Sequence, residues 1–573
     1  MATPSPSQAS VADNPTAQLD SLSKLRSHLL ERVHRLNQIG VALSVMKDPD
    51  MLLETILLGA KALTNADAGT LYTTTENQTL KFQILRTDSL NIAQGGTTGV
   101  AIKLPELPLY RHGKPNLAMV AAYSALKEET VNIPDAYEAE GFDFSGMRAF
   151  DKAMNYRSKS FLTVPLKNHE NELIGVMQLI NAIDPETHEI RPFSAEDQQL
   201  AESLASQAAI ALTNQRLIGD LRKLFEAFIQ TIATAIDDKS PYTGGHGHRV
   251  PILAEMLAEA AKESDLGDLR GFNPTDEEMY EIHIAAWMHD CGKVVTPEYV
   301  VDKATKLETI YDRIHTVSTR FEVLKRDAEI EYLRKKLELV TQSGGSADAS
   351  HADAHRERLA ALDKELQERL AQLESDRKFI LECNVGGEFM SEELQNRVKA
   401  IGHYRWQTPE GRDEPFLSEN ELYNLCIPKG TLTKEERQII NYHVTATKKM
   451  LNTLPFPKNL RRVPEIAASH HETMIGTGYP DGLVREQMSI PARIMAIADV
   501  FEALTASDRP YKPAKSLSAS LKILGFMKKE QHVDPELFDV FIRSKIYQRY
   551  AEKYLDPSQI DEVDESKIPG YVP

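Results

Sequence analysis

Seven histidines and aspartates between residues 246 and 499 could together hold metal ions. Five imidazoles and two carboxylates exceed the three or four protein ligands of one open catalytic ion, and they fit a site for two ions. Mixed nitrogen and oxygen donors without a thiolate suit iron or manganese at least as well as zinc. The seven residues are His246, His289, Asp290, His443, His470, His471 and Asp499.

The chemistry that such a pair of ions supports is the hydrolysis of a phosphodiester. Two divalent ions a few ångströms apart can lower the pKa of a shared water to near neutral and clamp the phosphate oxygens for in-line displacement. One carboxylate would bridge the ions, and we assign that role to Asp290. No protein nucleophile is then required.

Asp499 is the clearest single pointer to such a site. It lies in an apolar segment, residues 493–505, which predicts a buried helix. Burying an ionised carboxylate without a partner would destabilise the fold by roughly several kcal/mol, so such a carboxyl would otherwise stay protonated. We therefore expect Asp499 to be paired with a metal ion or another cation.

Helix ends must position the paired ligands. Successive helical residues point about 100° apart, so His289 and Asp290 can face one ion only near a helix end, and Gly292 supplies that end after a helix over residues 282–288. His470 and His471 come before a glycine-rich turn at residues 476–480, where a phosphorylated ligand could approach the backbone closely.

Other residues near these positions are assigned structural roles. We interpret His248 as a solvent-facing or capping residue and His283 as a packed or surface histidine. His315 is an alternative to His443, which is preferred because it sits the expected distance before His470. Cys291 is interpreted as a small buried residue and not as a redox sensor.

Composition limits the class of protein. The chain has 573 residues, which predicts two or more domains, and 66 Lys and Arg against 84 Asp and Glu give a net charge of −18. This charge argues against binding to a nucleic-acid polymer. The three cysteines are too few for a disulfide framework. Residues 1–20 predict a disordered tip without signal-peptide character, and no apolar run is long enough for a membrane span, so we expect a cytoplasmic protein.

The first part of the chain predicts an α+β module. Helices are expected over residues 22–46 and 51–63, strands over 70–74, 80–85, 160–165 and 173–180, and a closing helix from Ala195. Residues 160–167 and 173–181 resemble a GAF domain, a sensor fold, which we place at 21–215. Asn181, Phe193 and Asp197 resemble part of a cyclic-nucleotide motif, but Ala182 and Gln198 depart from it. A GAF domain that dimerises or binds another small molecule is therefore the preferred interpretation.

A linker helix is expected over residues 216–240. Leu217, Leu221, Leu224 and Phe228 follow the four–three spacing of a short coiled coil, which makes a homodimer the natural hypothesis. The alternative is that this stripe packs on its own domain.

Residues 305–428 interrupt the pattern of metal-binding motifs. Two charged, amphipathic helices separated by residues 343–347 predict an antiparallel helical hairpin inserted in a compact domain, and its surface could dock a protein partner. The apolar positions are Ile310, Ile314, Val317, Phe321 and Leu324 on the first helix, and Leu359, Leu362, Leu366, Leu370 and Leu373 on the second.

The metal-binding motifs, taken in order, resemble an HD-GYP domain, which we place at 241–573. The resemblance rests on His246 after Tyr-Thr-x-Gly, His289-Asp290-x-Gly-Lys, His443, His470-His471-Glu, Gly478-Tyr479-Pro480, Asp499 with Glu502-Ala-Leu, and Arg509-Pro-Tyr-Lys512. It implies an all-α phosphodiesterase that hydrolyses cyclic di-GMP to pGpG and/or GMP by a metal-activated hydroxide, here regulated by the GAF domain. The whole is therefore a multidomain protein, with an α+β GAF domain before an all-α domain that carries the hairpin.

The resemblance also implies a role for each site residue. His246, His289, Asp290 and Asp499 would hold one ion, and Asp290, His443, His470 and His471 the other. Asp290 and Lys293 would be catalytic. Substrate would be held by Lys293, Gly478, Tyr479, Pro480, Arg509 and Lys512. Ile475 and Val444 depart from the family pattern.

Two alternatives remain open for the function. The domain could bind cyclic di-GMP as a signalling adaptor with little turnover, or it could hydrolyse another cyclic dinucleotide.

Overall fold

We describe the protein from a computed structural model, which covers residues 15–46, 48–239, 245–342, 349–387, 389–507 and 514–572. The chain divides into two compact units, Met1–Leu224 and Phe225–Pro573. The predicted substrate residues Arg509 and Lys512 lie outside the described residues.

The first unit is built around one antiparallel sheet with the strand order β3-β2-β1-β9-β8-β7. The short strands β4 and β10 pair with β2 and β9. Its helices are α1 (Pro15–Val45), α2 (Pro49–Thr64), α3 (Val120–Lys127), α4 (Ser145–Met154) and α5 (Ala195–Asp237). Its strands are β1 (Ala66–Thr74), β2 (Thr79–Thr87), β3 (Ile92–Gly95), β4 (Leu107–Pro108), β5 (Tyr110–Arg111), β6 (Lys114–Pro115), β7 (Val131–Ile133), β8 (Phe161–Lys167), β9 (Leu173–Ile183) and β10 (Ile190–Arg191).

Helices cover the sheet because its inward side chains need an apolar partner. Buried residues of α1, α2 and α5 form one core with β1, β8 and β9. Small residues of α3 pack with strand residues in another apolar cluster. The predicted α+β architecture is confirmed. One detail differs: α1 begins at Pro15, so residues 15–20 of the predicted disordered tip are helical. The closing helix from Ala195 and the predicted linker helix are one continuous helix, α5, which ends at Asp237.

The second unit is predominantly helical. Among its described residues the helices are α6 (His246–Lys262), α7 (Asp276–Met288), α8 (Glu298–Val301), α9 (Ile314–Gln342), α10 (Ala349–Val385), α11 (Glu392–Gly402), α12 (Glu419–Leu425), α13 (Lys434–Asn452), α14 (Val463–Ala468), α15 (Ile490–Thr505), α16 (Leu517–Lys529), α17 (Pro535–Arg543) and α18 (Ile546–Tyr554). Two short strands, β11 (Arg405–Gln407) and β12 (Asp413–Pro415), form an antiparallel hairpin.

Polar caps fix where the helices of the second unit begin. Thr275 and Glu278 form a capping box at the start of α7, and Thr433 and Glu436 form one at the start of α13. The main core of the unit lies among α6, α7, α14, α15, α16, α17 and α18, and the end of α5 contributes Ile229 and Ala233 to it.

The insertion has an apolar core of its own. α9 and α10 pack against each other as the predicted hairpin, and Val317, Phe321 and Leu373 are fully buried at its base. Ile310 was predicted in the apolar stripe, but it precedes α9 and is 96% exposed. Residues 389–425, whose sequence shows little periodicity, form α11, the β11–β12 hairpin and α12.

The predicted coiled-coil stripe is exposed on α5. Leu217, Leu221 and Leu224 expose 57%, 66% and 66% of their surface, so this stripe does not pack on its own domain. Within the part of the chain that the structure describes, no helix has the length and apolar character to cross a bilayer.

Candidate metal centre

The seven predicted ligands come together in the second unit although they lie far apart in sequence. Each is placed at a helix end or on a buried helix face. His246 begins α6, His289 and Asp290 follow α7, His443 lies on α13, His470 and His471 follow α14, and Asp499 lies on α15.

Asp290 lies between two groups of histidines. Its Oδ2 atom is 3.2 Å from Nε2 of His246 and 3.2 Å from Nε2 of His289, while Oδ1 is 3.3 Å from Nε2 of His443. The ligand atoms of His246, His289 and Asp290 all lie within 4.8 Å of one another, which is close enough for one ion. One carboxylate therefore faces both groups with different oxygens.

The second group consists of His443, His470 and His471, whose ligand atoms also lie within 4.8 Å of one another. The rings of His470 and His471 are 4.3 Å apart between centroids, and those of His443 and His471 are 5.3 Å apart. Three convergent imidazoles of this kind could hold a second ion.

Asp499 joins the first group. Its Oδ1 atom lies 3.2 Å from Nε2 of His246 and 3.8 Å from Nε2 of His289. The side chain is only slightly exposed, and no Lys or Arg lies within ion-pair distance of it among the described residues. The expectation that this buried acid needs a cationic partner is therefore consistent with the geometry.

Backbone hydrogen bonds set the direction of three imidazoles. Nδ1 of His289 donates to the carbonyl of Ala286, Nδ1 of His443 to that of Ile440, and Nδ1 of His470 to that of Ala467, at 2.7, 2.6 and 2.6 Å. Since Nδ1 then carries the proton, each Nε2 is left as a lone-pair donor that points into the site.

Buried atoms without partners identify where ions would fit. Nε2 of His443, Nε2 of His470 and Oδ1 of Asp290 are buried and accept no hydrogen bond among the described residues. The short distance between His443 and Asp290 is not a hydrogen bond, because neither facing atom carries a proton. Such orphaned acceptors are costly unless a cation satisfies them, so the residues present fit a metal centre.

The electrostatics favour neutral imidazoles at His470 and His471 and an ionised carboxylate at Asp290. Burial lowers the pKa of His470 well below its usual value, with neighbouring histidines adding to the effect, and burial lowers the pKa of His471 to about 4. Burial alone would raise the pKa of Asp290, but Lys293 and His289 hold it well below its usual range. These are the protonation states that metal ligands require.

His246 is held by carboxylates on two sides. Burial lowers its pKa, but Asp290, Asp499 and Glu502 raise it well above the usual value. Nδ1 of His246 is in close contact with Oε2 of Glu502, whose other oxygen accepts a hydrogen bond from Nε of Arg249 at 2.6 Å. Glu502 therefore orients the imidazole in the manner of a carboxylate behind a metal-binding histidine.

Sequence reasoning did not assign a role to Glu502, although a signal was present. Glu502 lies three residues after Asp499 on the same helix, so both acids share one face of α15. A second residue that was missed is Thr447, which lies one helical turn after His443. Its Oγ1 donates to the carbonyl of His289 at 3.1 Å and accepts from the backbone of Gly292 at 2.9 Å.

The loop of residues 478–480 lies beside the second group. The ring of Tyr479 stacks on His471 with 4.9 Å between centroids, and its backbone N–H donates to the carbonyl of His471 at 3.2 Å. A Cβ at Gly478 would come within 2.4 Å of Cα of Glu472, which explains the glycine. The side chain of Glu472 is fully buried and accepts backbone hydrogen bonds from Asp481, Gly482 and Leu483.

Lys293 also lies at the site. Its ammonium is 2.6 Å from Oδ2 of Asp290. Burial lowers the pKa of Lys293, but Asp290 raises it to a net value above the usual one, so the side chain is a cation. Burial raises the pKa of the Cys291 thiol to about 11, so this neighbour stays protonated and supplies no thiolate ligand.

The residues assigned structural roles lie apart from the seven. His315 is exposed at the start of α9, and His443 occupies the site instead. His248 is exposed, with its ring against Trp287, and His283 is bonded to Glu255. Ile475 is half exposed and pairs with Val484 in an isolated β-bridge.

Comparisons with known proteins find one matching family model within each unit. The profile of the GAF domain matches residues 48–212, and that of the HD domain matches residues 420–537. The HD match includes four of the seven residues, from His443 to Asp499. The chain therefore contains a GAF domain followed by an HD domain, and the predicted order is confirmed.

Three curated relatives match this chain in part. A cyclic di-GMP phosphodiesterase response regulator of Xanthomonas campestris is 29% identical over 39% of this chain and 59% of its own length. A cyclic di-GMP phosphodiesterase of Thermotoga maritima is 27% identical over 38% and 64%. A 3'3'-cGAMP-specific phosphodiesterase of Vibrio cholerae is 37% identical over 20% and 26%. The chain thus spans less than two thirds of the length of each relative.

Proposed function

We propose that this protein is a metal-dependent phosphodiesterase that hydrolyses cyclic di-GMP to pGpG and/or GMP. The observation that carries the proposal is the position of Asp290, whose two oxygens face two separate groups of histidines beside the loop of residues 478–480. Two ions that share a carboxylate suit the hydrolysis of a phosphodiester. The names of the relatives from Xanthomonas and Thermotoga support cyclic di-GMP as the substrate.

The seven predicted ligands would bind two metal ions. His246, His289 and Asp499 would hold one ion, His443, His470 and His471 the other, and Asp290 both. When bound, two divalent ions would lower the pKa of a water and neutralise charge on the phosphate. The donor set contains imidazoles and carboxylates and lacks a thiolate, so iron or manganese is the expected metal.

Lys293 and Tyr479 would act on the substrate directly. The ammonium of Lys293 lies at the edge of the site and could approach a phosphate oxygen as a point charge. Tyr479 is fixed by its stack on His471, so its ring would form a wall of the substrate pocket, and Gly478 and Pro480 hold the loop in shape. Arg509 and Lys512 would add cations for phosphate or guanine, as the sequence predicts.

A product analysis tests this function. The full chain would be purified without oxygen, its iron and manganese measured, and the protein incubated with cyclic di-GMP while the nucleotides are separated by chromatography. We expect pGpG to form first and GMP to follow if hydrolysis continues. A fully metal-loaded protein that binds cyclic di-GMP but yields no linear product would favour the adaptor alternative.

A second substrate is suggested by the name of one of these relatives. The relative named for 3'3'-cGAMP is 37% identical, but it matches only 20% of this chain. The same two-ion chemistry would open either ring, because the reacting phosphodiester is the same. A panel of cyclic dinucleotides, compared by kcat/KM, would decide between them, and we expect cyclic di-GMP to give the highest value.

The GAF domain and the exposed stripe of α5 suggest a regulated homodimer. Ile210, Leu217, Leu221 and Leu224 continue the four–three spacing with one polar position, Asn214, which is how short parallel coiled coils set their register. We expect a dimer in sedimentation experiments that Leu221→Asp converts to a monomer. Leu104→Asp, at an exposed leucine outside the stripe, should leave the dimer intact. A wild-type monomer at high concentration would contradict the proposal.

Two other roles follow from the same proposal. The GAF domain would bind a small molecule that changes the phosphodiesterase rate. Asn181 and Asp197 are used within the fold: Asn181 bonds the backbone of Lys159 and Arg157, and Asp197 pairs with Arg32 and Arg191. These bonds disfavour a cyclic-nucleotide role for the partial motif. The insertion would offer its helical hairpin to a protein partner.

A further inference from the structure

The C-terminal end of α5 contacts two of the three chain segments that carry the first group of ligands. Asp237 is the last residue of α5, and Lys239 follows it by two positions. One contacts the start of α6, where His246 lies, and the other contacts the 3₁₀ turn Cys291–Val295, which directly follows His289 and Asp290. Neither residue belongs to the predicted set.

Asp237 supplies the N-terminal cap that α6 lacks. The first N–H groups of a helix have no partner within the helix, and the residue before α6, Gly245, offers no side chain to accept them. Oδ2 of Asp237 accepts a hydrogen bond from the backbone of Gly247 at 3.0 Å. A carboxylate at this end also complements the positive end of the helix dipole. The start of α6, and hence His246, is therefore held from α5.

Lys239 holds the other segment in a complementary way. Its ammonium donates to the carbonyls of Val294 and Thr296 at 2.7 and 2.8 Å. These carbonyls lie at the C-terminal end of the 3₁₀ turn, where acceptors lack partners and a cation is favoured. The same turn contains Lys293, whose N–H donates to the carbonyl of Asp290 at 2.9 Å.

The contacts of Asp237 and Lys239 start from a fixed helix end, because α5 is buried in the core one turn earlier. Ile229 and Ala233 are buried in the main core of the second unit. Around Asp237, the end of α5 and the residues Trp287 and Met288 line one narrow cavity, together with Gly247 and Cys291. A Cβ at Gly247 would lie 3.0 Å from Oδ2 of Asp237, so glycine permits this close approach.

From this geometry we infer that Asp237 and Lys239 are positioning residues that set the separation of His246 from Asp290. Neither belongs to the two groups of ligands. Together they fix α6 and the 3₁₀ turn to the same end of α5, at the place where His246 Nε2 and Asp290 Oδ2 lie 3.2 Å apart. The inference rests on the metal centre of the proposed function but does not depend on the substrate.

Metal affinity of the full chain tests the inference. Metal-free wild type, Asp237→Ala and Lys239→Met would be titrated anaerobically with Mn²⁺ by calorimetry. Loss of a group that orients a ligand costs about 10- to 100-fold in metal affinity, and we expect a loss in this range for the tighter-binding phase of each variant. The matched controls are Asp238→Ala, at the exposed residue after α5, and Lys223→Met, at an exposed residue farther back on α5, and they should bind Mn²⁺ as the wild type does.

Conservative variants separate positioning from simple destabilisation. Asp237→Asn retains an acceptor for the Gly247 N–H, and Lys239→Arg retains donors. Both variants should therefore keep most of the Mn²⁺ affinity of the wild type. They also replace Asp237→Ala and Lys239→Met in the test if those variants fail to fold. The thermal midpoint of the metal-free protein should change no more in these variants than in the controls. Binding within twofold of wild type in both Asp237→Ala and Lys239→Met would overturn the inference. If the wild type binds Mn²⁺ but hydrolyses no cyclic dinucleotide, the proposed function fails while this result still stands.

Discussion

Oδ1 of Asp290 lies 3.3 Å from Nε2 of His443, and neither atom has a hydrogen-bond partner among the described residues. Two buried acceptors that face each other repel unless a cation lies between or beside them. This pair therefore connects the first group of ligands to the second, and the two groups form a single centre.

The variant His443→Ala tests whether His443, and not the alternative His315, is the metal ligand. We expect it to lose bound metal and to lower kcat/KM for cyclic di-GMP by about 10³-fold or more, because a metal site contributes several kcal/mol to transition-state stabilisation. Metal analysis and initial rates measure both effects.

His315→Ala is the matched control for this prediction. His315 is exposed on α9, so its removal should change neither metal content nor rate. The assignment would be wrong if the His315 variant lost metal and the His443 variant kept it.

Glu502→Gln should weaken the first group without removing a ligand. Glu502 is 1% exposed and holds Nδ1 of His246, so the neutral amide would orient the imidazole less firmly. We expect a 10- to 100-fold loss in Mn²⁺ affinity, roughly, measured by anaerobic titration. Glu486→Gln, at an exposed glutamate, serves as the control. Equal affinities in the two variants would argue against this role for Glu502.

The sequence predicted the ligands better than the residues that support them. Each ligand stood out by type: His470 and His471 as a pair, Asp499 as an acid among aliphatic residues. Glu502 was part of a family motif but had no assigned role, and Thr447 was not identified, because their partners, His246 and Gly292, lie 256 and 155 positions away in the chain. Only the fold brings them together.

The dependence on contacts between distant residues also explains which helices of the insertion were predicted. Regular spacing along α9 and α10 predicted the hairpin, since periodicity is a local property. α11 and α12 are short helices, with 11 and 7 residues, and short helices show little periodicity. Their stability comes from long-range burial around Phe321 and Phe416, which no window of sequence contains. Ile310 was misassigned for a related reason: it fits the spacing but precedes the start of the helix.

Gly478→Ala should damage the substrate pocket. The added Cβ would meet backbone atoms of His471, Glu472 and Thr473 at 2.4–2.6 Å, and backbone cannot rotate away as a side chain can. The loop that carries Tyr479 must therefore move. We expect KM for cyclic di-GMP to rise about tenfold or more, equivalent to about 1.4 kcal/mol of binding.

Steady-state kinetics with parallel metal analysis would measure this effect. The control is Gly387→Ala, where an added Cβ meets nothing within 4 Å and the backbone has no positive φ. An unchanged KM in the Gly478 variant would show that the loop does not contact the substrate.

Asp534→Asn should destabilise the second unit in a pH-dependent way. Asp534 is fully buried; Oδ2 lies 2.6 Å from Nη1 of Arg493 and 2.8 Å from Nε of Arg485, and Oδ1 accepts from the backbone of Leu537. Burial raises the pKa of Asp534, but the Leu537 N–H and both arginines lower it to a net value below the usual one. Removing the charge leaves buried Arg493 with only the more distant carboxylate of Asp268, at 4.0 Å, which costs about 3 kcal/mol.

The sign of the pH effect follows from this lowered pKa. A carboxyl whose pKa is lower in the folded state stabilises the fold above its unfolded pKa of about 3.9, and this stabilisation is lost as the pH falls through the folded value. The difference in unfolding free energy between wild type and Asp534→Asn should therefore be constant above about pH 5 and shrink below about pH 4. Urea unfolding at several pH values measures it, with Asp276→Asn, at an exposed residue, expected to stay within about 0.5 kcal/mol of wild type. A difference of the same size at pH 3 and pH 7 would mean that the ion pairs of Asp534 do not stabilise the fold.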